Sequence, residues 1–361
     1  MAVQTYSIIV ASGSYIPTVT VKNADFLDHT FFDRNGVALS KANEVIISQL
    51  EQITGIRERR YVTDDLVTSD IAFFAAQNAL ESGGIDPESL DYIIVAHNFG
   101  DVTSKNLVSD MVPALASRVK HRLGIVNAQT VAYDLPFGCA GWLQGIIQAD
   151  GYLRSGNAKK VLVIGAETLS RISDPHDRDC MIFADGAGAV VLGATESAVP
   201  IGILAHHAET IADELVYALK MGASNKPGFG DNRLFLKMSG HKLYEQVLKV
   251  VPGVIKKCIE KADLSLTDIS KVLIHQANNK MDEAILKLLF ELCETKNIPF
   301  EIMPMTISWL GNSSVATLPT LYDLINKAQM PGHSFNKNET ILFAAVGAGV
   351  NVNAVVYKNF E

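Results

Sequence analysis

The stretch Val131-Ala-Tyr-Asp-Leu-Pro-Phe-Gly-Cys139-Ala-Gly-Trp-Leu-Gln-Gly-Ile-Ile-Gln-Ala-Asp150 changes its hydrophobic period in the middle. The residues up to Leu135 suit a short strand and Pro136 to Gly138 a tight turn, while Trp142, Leu143, Ile146 and Ile147 recur at the spacing of one helix face. Cys139 stands at the turn. A thiol at a helix N-terminus meets unpaired N–H groups and the positive end of the helix dipole, so the spacing predicts a stabilised thiolate. Gly138, Ala140 and Gly141 leave little bulk around the sulfur, and a strand-turn-helix of this kind presents the nucleophile in the serine elbow. The competing reading is a buried structural cysteine.

Outward from this unit the chain alternates strands and helices. Ser7 to Ala11 read as a buried strand and Ser12 to Pro17 as its loop. Val45, Ile46, Leu50 and Ile53 place a helix that stops at Thr54-Gly55, and Ile56 to Tyr61 read as a charged connector. Residues 69–82 form an amphipathic helix ended by Gly83-Gly84, ahead of a strand at Tyr92 to Ala96. Lys160 to Gly165 is an apolar run of the kind buried on both faces. Phe183 to Leu192 is another strand, whose glycines have neither the lysine of a phosphate loop nor dinucleotide spacing and so read as tight strand packing.

The same grammar returns in the second half. Cys258 to Ala277 matches Ala79 to Asn98 as a helix end, an acidic turn, a strand and a polar residue where the strand emerges. Met305 to Asn312, a helix over Val315 to Ile325, and the strand Ile341 to Ala345 echo the Cys139 unit and its following strand. A near-constant offset of roughly half the chain points to duplication of an αβ half, with units at 1–195 and 196–361. Mostly parallel sheets covered by helices follow, with ligands at the C-terminal strand ends.

Bulk properties narrow the function. The 361 residues are 48% hydrophobic, enough for a full core, and the net charge of −8 offers no basic face for nucleic acid. Four cysteines, Cys139, Cys180, Cys258 and Cys293, are widely spaced without a CxxC pair, so neither a disulfide framework nor a zinc site is expected. With no signal-peptide pattern at the N-terminus and no apolar run of spanning length, a cytoplasmic chain without a membrane span is expected.

Three residues sit where strands end: Cys139 in the first half, His275 and Asn312 in the second. Such a set suits acyl transfer followed by carbanion formation. A thiolate attacks a thioester and holds its acyl group. A neutral imidazole N–H and an amide N–H then donate to the carbonyl oxygen of a second thioester and stabilise its enolate. Backbone N–H groups at Cys139 and within Val346-Gly-Ala-Gly349 can cradle the first tetrahedral oxyanion, since small residues permit close approach.

Over nearly its whole length the sequence resembles the β-ketoacyl-acyl-carrier-protein synthase III group of the thiolase superfamily. The resemblance runs from Thr54-Gly-Ile-Arg-Glu-Arg through Gly138-Cys-Ala-Gly, Asp174-Pro-His-Asp-Arg178, Ala184-Asp-Gly-Ala-Gly, His275-Gln-Ala-Asn and Leu310-Gly-Asn-Ser-Ser to Val346-Gly-Ala-Gly. It implies an α/β, five-layer αβαβα thiolase-like fold, usually a homodimer, with no metal or redox cofactor. It implies Cys139 as the acyl-accepting nucleophile, His275 and Asn312 as the decarboxylation pair, and the backbone N–H groups of Cys139 and Ala348 as the first oxyanion hole. The substrates it implies are acyl-CoA or acyl-carrier-protein thioesters. Arg178 keeps a nucleotide-binding position, while Lys280, with Lys287 two turns on, corresponds to the family's contact with an acidic carrier protein. The Trp and Arg that usually hold the adenine upstream of Thr-Gly-Ile-Arg are here Gln49 and Ile53.

The expected activity is a Claisen condensation of two acyl thioesters through acyl-Cys139, in fatty-acid or specialised lipid or polyketide-like biosynthesis. The missing aromatic platform and the unfamiliar segment from Asp25 to Lys41 tilt the reading towards a specialised branch. There a β-ketoacyl thioester reacts with a second acyl thioester, as in head-to-head or dialkylresorcinol-forming enzymes. Acyl transfer to an alcohol or amine is a third possibility, disfavoured because it leaves an enolate-stabilising pair without use.

Overall fold

The computed structural model describes residues 3–230, 232–296 and 298–360. Its first half runs β1 (Gln4–Tyr15), β2 (Val19–Lys22), α1 (Asn43–Thr54), β3 (Glu58–Tyr61), α2 (Thr68–Gly83), β4 (Tyr92–Ala96), α3 (Leu115–Arg122), β5 (Val131–Leu135), α4 (Gly141–Arg154), β6 (Lys160–Thr168) and β7 (Asp185–Ser197). The second runs β8 (Gly202–Thr210), β9 (Leu219–Gly222), β10 (Phe235–Met238), α5 (Gly240–Lys261), β11 (Lys271–Ile274), α6 (Asn279–Leu292), α7 (Ile307–Leu310), α8 (Thr317–Asn326), β12 (Thr340–Gly347) and β13 (Asn351–Lys358). Gly55 and Gly84, both left-handed, end α1 and α2 at the expected stops.

Strands from residues 4–197 make one sheet, ordered β1-β7-β6-β4-β5, and strands from residues 202–358 make a second, ordered β8-β13-β12-β11. The second repeats the first strand for strand: β1/β7 and β7/β6 match β8/β13 and β13/β12 as antiparallel pairings, and β6/β4 matches β12/β11 as a parallel one. Among the described residues it has no counterpart of the edge strand β5.

Five layers result. Helices α2 and α3 cover the outside of the first sheet through Ile71, Ala75, Ala79, Leu115 and Val119. Helices α4 and α8 lie between the sheets, with Trp142, Leu143, Leu318 and Leu321 in one apolar cluster with residues of both. Helices α5 and α6 cover the second sheet through Val251, Ile255, Ile285 and Leu289. The Trp142 indole is buried, and its N–H donates to the Val163 carbonyl. A fourth apolar cluster joins Phe26, Phe31, Ile46 and Leu50 to Met181, Ile182 and Leu236 over the strand ends. No described helix is long and apolar enough to cross a membrane.

Three local expectations are corrected. The supposed loop after Ala11 is the second half of β1. Ser12 and Ser14 belong in it because their hydroxyls donate to the two carboxylate oxygens of Asp323 on α8, at 2.8 and 2.6 Å. The charged connector contains β3, paired with β2, and its Arg59 is fully buried. That guanidinium donates to the carbonyls of Met181 and Val21 and to Asn23 Oδ1, and it lies over the Phe26 ring. On α1 the buried stripe is Ile46, Ile47 and Leu50, whereas Val45 and Ile53 are 46% and 49% exposed.

The glycines of the Asp185-Gly-Ala-Gly run explain how the halves meet. Gly165 and Gly188 are register partners on β6 and β7. A Cβ on Gly165 would lie 2.3 Å from the Val315 carbonyl oxygen, and one on Gly188 would lie 2.6 Å from the Thr320 nitrogen. The start of α8 therefore rests on bare backbone. Gly188→Ala should force the helix off the sheet and cost about 1–3 kcal/mol or more, read as a lowered denaturant midpoint with unchanged slope.

Candidate active site

β5 delivers the chain into Pro136-Phe137, and Gly138 turns it with φ near +64°, which a residue bearing a Cβ adopts only with strain. Cys139 lies in the single 3-10 turn Gly138–Ala140 that leads into α4. The C-terminal loop after β12 closes on this turn backbone to backbone. A Cβ on Gly138 would lie 2.7 Å from the Ala348 nitrogen, and one on Gly347 would lie 2.5 Å from the Cys139 nitrogen. The amides of Cys139 and Ala348 thus belong to one seam, and both residues line the same cavity.

The predicted thiolate gives way to burial. Desolvation pushes the Cys139 thiol up to about 11, the nearby Glu167 carboxyl adds to the rise, and a hydrogen bond from the Ser314 hydroxyl, 3.1 Å from the sulfur, works against it. Loss of water outweighs the stabilisation expected from the helix terminus, and Cys139 rests as a thiol.

His275 follows β11 and donates its backbone N–H to the Ala344 carbonyl. Its buried imidazole is pushed down to about 4 by desolvation, so it is neutral at physiological pH. Nδ1 has no hydrogen-bond partner among the described residues. The rest of the His275-Gln-Ala-Asn motif is structural. Gln276 Oε1 accepts from the Thr306 and Ile307 amides while its Nε2 donates to the Pro304 carbonyl, and Asn278 Oδ1 caps α6 by accepting from the Met281 amide. Gln276 therefore ties the end of β11 to the segment that leads to Asn312.

Asn312 is stitched into the loop before β7: its N–H donates to the Ile182 carbonyl and its carbonyl accepts from the Ala184 N–H. The side-chain Oδ1 accepts from the Ser314 amide at 2.9 Å, which fixes the carboxamide's orientation. Cys139, His275 and Asn312 all line one apolar cavity of about 910 Å³.

Sequence reasoning missed the polar support behind the sulfur. Glu167, fully buried on β6, accepts from both the backbone and side-chain N–H groups of Asn98, at 2.8 and 2.7 Å. Its other oxygen has no partner among the described residues. Desolvation raises this carboxyl to about 7, opposed by the neighbouring His97. The His97 ring accepts the Gly100 N–H at Nδ1 and brings Nε2 within 3.0 Å of Asp134. A signal was present, since an acidic residue ends an otherwise apolar run at Lys160 to Glu167.

The cavity walls come from α1, the β9–β10 hairpin, the first turns of α5 and α6, and the loop after β7's predecessor strand β6, with Leu50, Leu219, Met238, Val247 and Met281 among the apolar residues. Gln49 and exposed Ile53 line it from α1, and Arg178 from the loop. That loop is anchored by buried Asp174, which accepts from the Asn225 amide, the Ser224 hydroxyl and the Lys237 ammonium. Lys280 and Lys287 are exposed on α6 outside the cavity lining, and Lys287 lies 3.9 Å from Glu291.

Residues 133–210 match the 3-oxoacyl-[acyl-carrier-protein] synthase III family, and residues 259–359 match its C-terminal domain. Among solved structures, 3-oxoacyl-[acyl-carrier-protein] synthase III from Aquifex aeolicus VF5 is 28% identical, with a TM-score of 0.78 over 98% of this chain and 99% of that one. β-Ketoacyl-[acyl-carrier-protein] synthase III from Thermus thermophilus is 29% identical, with a TM-score of 0.77 over 97% and 98%. A Xanthomonas campestris OleA variant, solved with lauric acid and lauroyl-CoA, shares the fold at 15% identity, with a TM-score of 0.76 over 98% and 99%.

The Glu167 shift sets a pH-dependent stability. A native carboxyl raised from an ordinary 4.5 to about 7 binds its proton more tightly than the unfolded chain does, so stability falls as pH rises through that window. Glu167→Gln removes this titration. It should stabilise the protein more at pH 8 than at pH 5, by a difference of up to about 3 kcal/mol. Denaturant midpoints at the two pH values measure it, and equal changes at both would contradict the assignment.

Proposed function

This chain belongs to the synthase III-like condensing enzymes of the thiolase superfamily, and we propose that it joins two acyl thioesters through an acyl-Cys139 intermediate. The observation that carries this reading is the convergence of Cys139, His275 and Asn312 on one apolar cavity of about 910 Å³. In the first half-reaction the Cys139 sulfur attacks the thioester carbonyl, the carbon–sulfur bond to the donor breaks, and the proton lost by Cys139 leaves with the donor thiol. The N–H groups of Cys139 and Ala348 hold the tetrahedral oxyanion.

In the second, an extender thioester places its carbonyl oxygen against the His275 and Asn312 N–H donors. With a malonyl-type extender the bond to the carboxylate breaks, carbon dioxide leaves, and its electron pair becomes the enolate. The enolate carbon attacks acyl-Cys139, forming the new carbon–carbon bond and returning the sulfur. Neutral His275 suits this step as a donor, and the dry pocket strengthens its hydrogen bond to developing negative charge.

Donors are acyl-CoA or acyl-carrier protein. Arg178 at the cavity serves the donor's phosphates, Lys280 and Lys287 face an acidic carrier, and the working form is a cytoplasmic homodimer without a bound metal or redox cofactor. A second reading has a specific observation behind it: where an adenine platform is expected, α1 presents Gln49 and the exposed Ile53 to the cavity. An apolar rim favours two long acyl chains, one on a β-ketoacyl thioester, as in dialkylresorcinol-forming condensation. That version needs a base to remove an α-proton in place of carbon dioxide loss.

Intact-protein mass spectrometry with acyl-CoA and acyl-carrier-protein donors should show an acyl adduct on wild type and none on Cys139→Ala. The chain length that loads best decides between the two branches, and no adduct from any donor would overturn the reading. Asn312→Ala should acylate normally yet lose at least about a hundredfold in condensation, the scale of removing one oxyanion donor. With preformed acyl-enzyme, condensation should hold steady down to about pH 5 and fall as pH approaches 4, because only then does His275 take up a proton. A midpoint near 6.5 would contradict its burial.

A further inference from the structure

The proposed reaction begins with a thiol that burial holds far from ionisation, and the structure places a directed hydrogen-bond chain against that sulfur. Asn98 stands where β4 emerges. Its backbone N–H and its side-chain Nδ2 both donate to Glu167 Oε2, at 2.8 and 2.7 Å. A carboxyl oxygen at that spot accepts whether or not the other oxygen carries a proton, so the carboxamide cannot flip without losing its Nδ2 bond to Glu167. The same Nδ2 donates to Ser314 Oγ at 3.2 Å. With its oxygen engaged as an acceptor, the Ser314 hydroxyl has its own hydrogen free for Cys139 Sγ, 3.1 Å away. Once the sulfur loses its proton, the hydroxyl is the partner able to donate.

Ser314 is buried and holds φ near +54°, a conformation that favours glycine. A serine kept there at some strain, with its hydroxyl on the nucleophile, marks the side chain as the reason for the residue. We propose that Ser314 is the side-chain donor that stabilises the Cys139 thiolate as acylation begins, and that Asn98 is the positioning residue that aims it, anchored on Glu167. The proposal rests on reading Cys139 as the nucleophile. The balance of acylation is unchanged: the Cys139 proton leaves with the donor thiol, and Ser314 keeps its own.

The charged and titratable groups around the chain are Glu167 by the sulfur, His275 on the same cavity, His97 with Asp134 and Asp185 as neighbours of Glu167, and Arg171 beside Asp185. None of them is altered by the substitutions that test it. Ser314→Gly deletes the hydroxyl while relieving the left-handed backbone, so the variant should melt at or above the wild-type temperature. Iodoacetamide alkylation of Cys139, followed by peptide mapping between about pH 7 and 9, reads the thiolate without any acyl donor.

A hydrogen bond to a charged group corresponds to about one pKa unit, partly offset by the greater nucleophilicity of a more basic thiolate. The log rate–pH line of Ser314→Gly should therefore drop in parallel by about three- to tenfold. Asn98→Ala should lower the line in the wild-type background and have no further effect in Ser314→Gly, the signature of acting through Ser314. A folded Ser314→Gly that alkylates like wild type overturns the donor role, and an Asn98→Ala effect of equal size in both backgrounds overturns the positioning role. Failure of the acyl adduct with intact alkylation would instead count against the condensing reading alone.

Discussion

Backbone-on-backbone contact at two glycine pairs is the constraint on which the site depends. Gly165 and Gly188 let the start of α8 sink onto the first sheet, which carries the Asn312–Ser314 turn down to the sulfur. Gly138 and Gly347 let the loop after β12 touch the turn that bears Cys139. Each contact joins an element of one repeated unit to an element of the other. Cys139, His275 and Asn312 come from both units, so neither could assemble the cavity alone.

The same close packing excludes water, and the electrostatics follow from that. Cys139 and Glu167 are pushed up and His275 is pushed down, each with desolvation as the largest cause. The resting site therefore carries little charge and offers N–H and O–H donors instead. Donors fixed in a dry site are worth more to a charge that develops late than they would be in water.

Much of this was legible because its signals are local. The period change at Cys139, the stops at Gly55 and Gly84, and the glycine run after Ala184 each depend on neighbours a few residues away, and each sits in the structure as its spacing suggests. What was illegible depends on distant partners. Ser12 and Ser14 read as loop because Asp323, some three hundred residues on, supplies their hydrogen bonds. Arg59 read as part of a charged connector because the carbonyls that surround it belong to residues far away in the chain. The thiolate expectation failed for the same reason: a helix terminus can be read from sequence, but the desolvation of a thiol in the turn before it cannot. Asn98, Glu167 and Ser314 come from three separate segments and share no motif.

The seam between Gly138 and Gly347 divides the protein into parts with different freedom to vary. The amides of Cys139 and Ala348 are main-chain groups, which every side chain but proline leaves in place and which a single methyl added at Gly138 or Gly347 would push apart. Much of the chamber wall, by contrast, is ordinary side chains on α1 and on β9 and β10, segments with no strand in either large sheet. A lineage can therefore redraw what fits inside while inheriting the chemistry unaltered, and a protein engineer seeking new products has the same two segments to exchange.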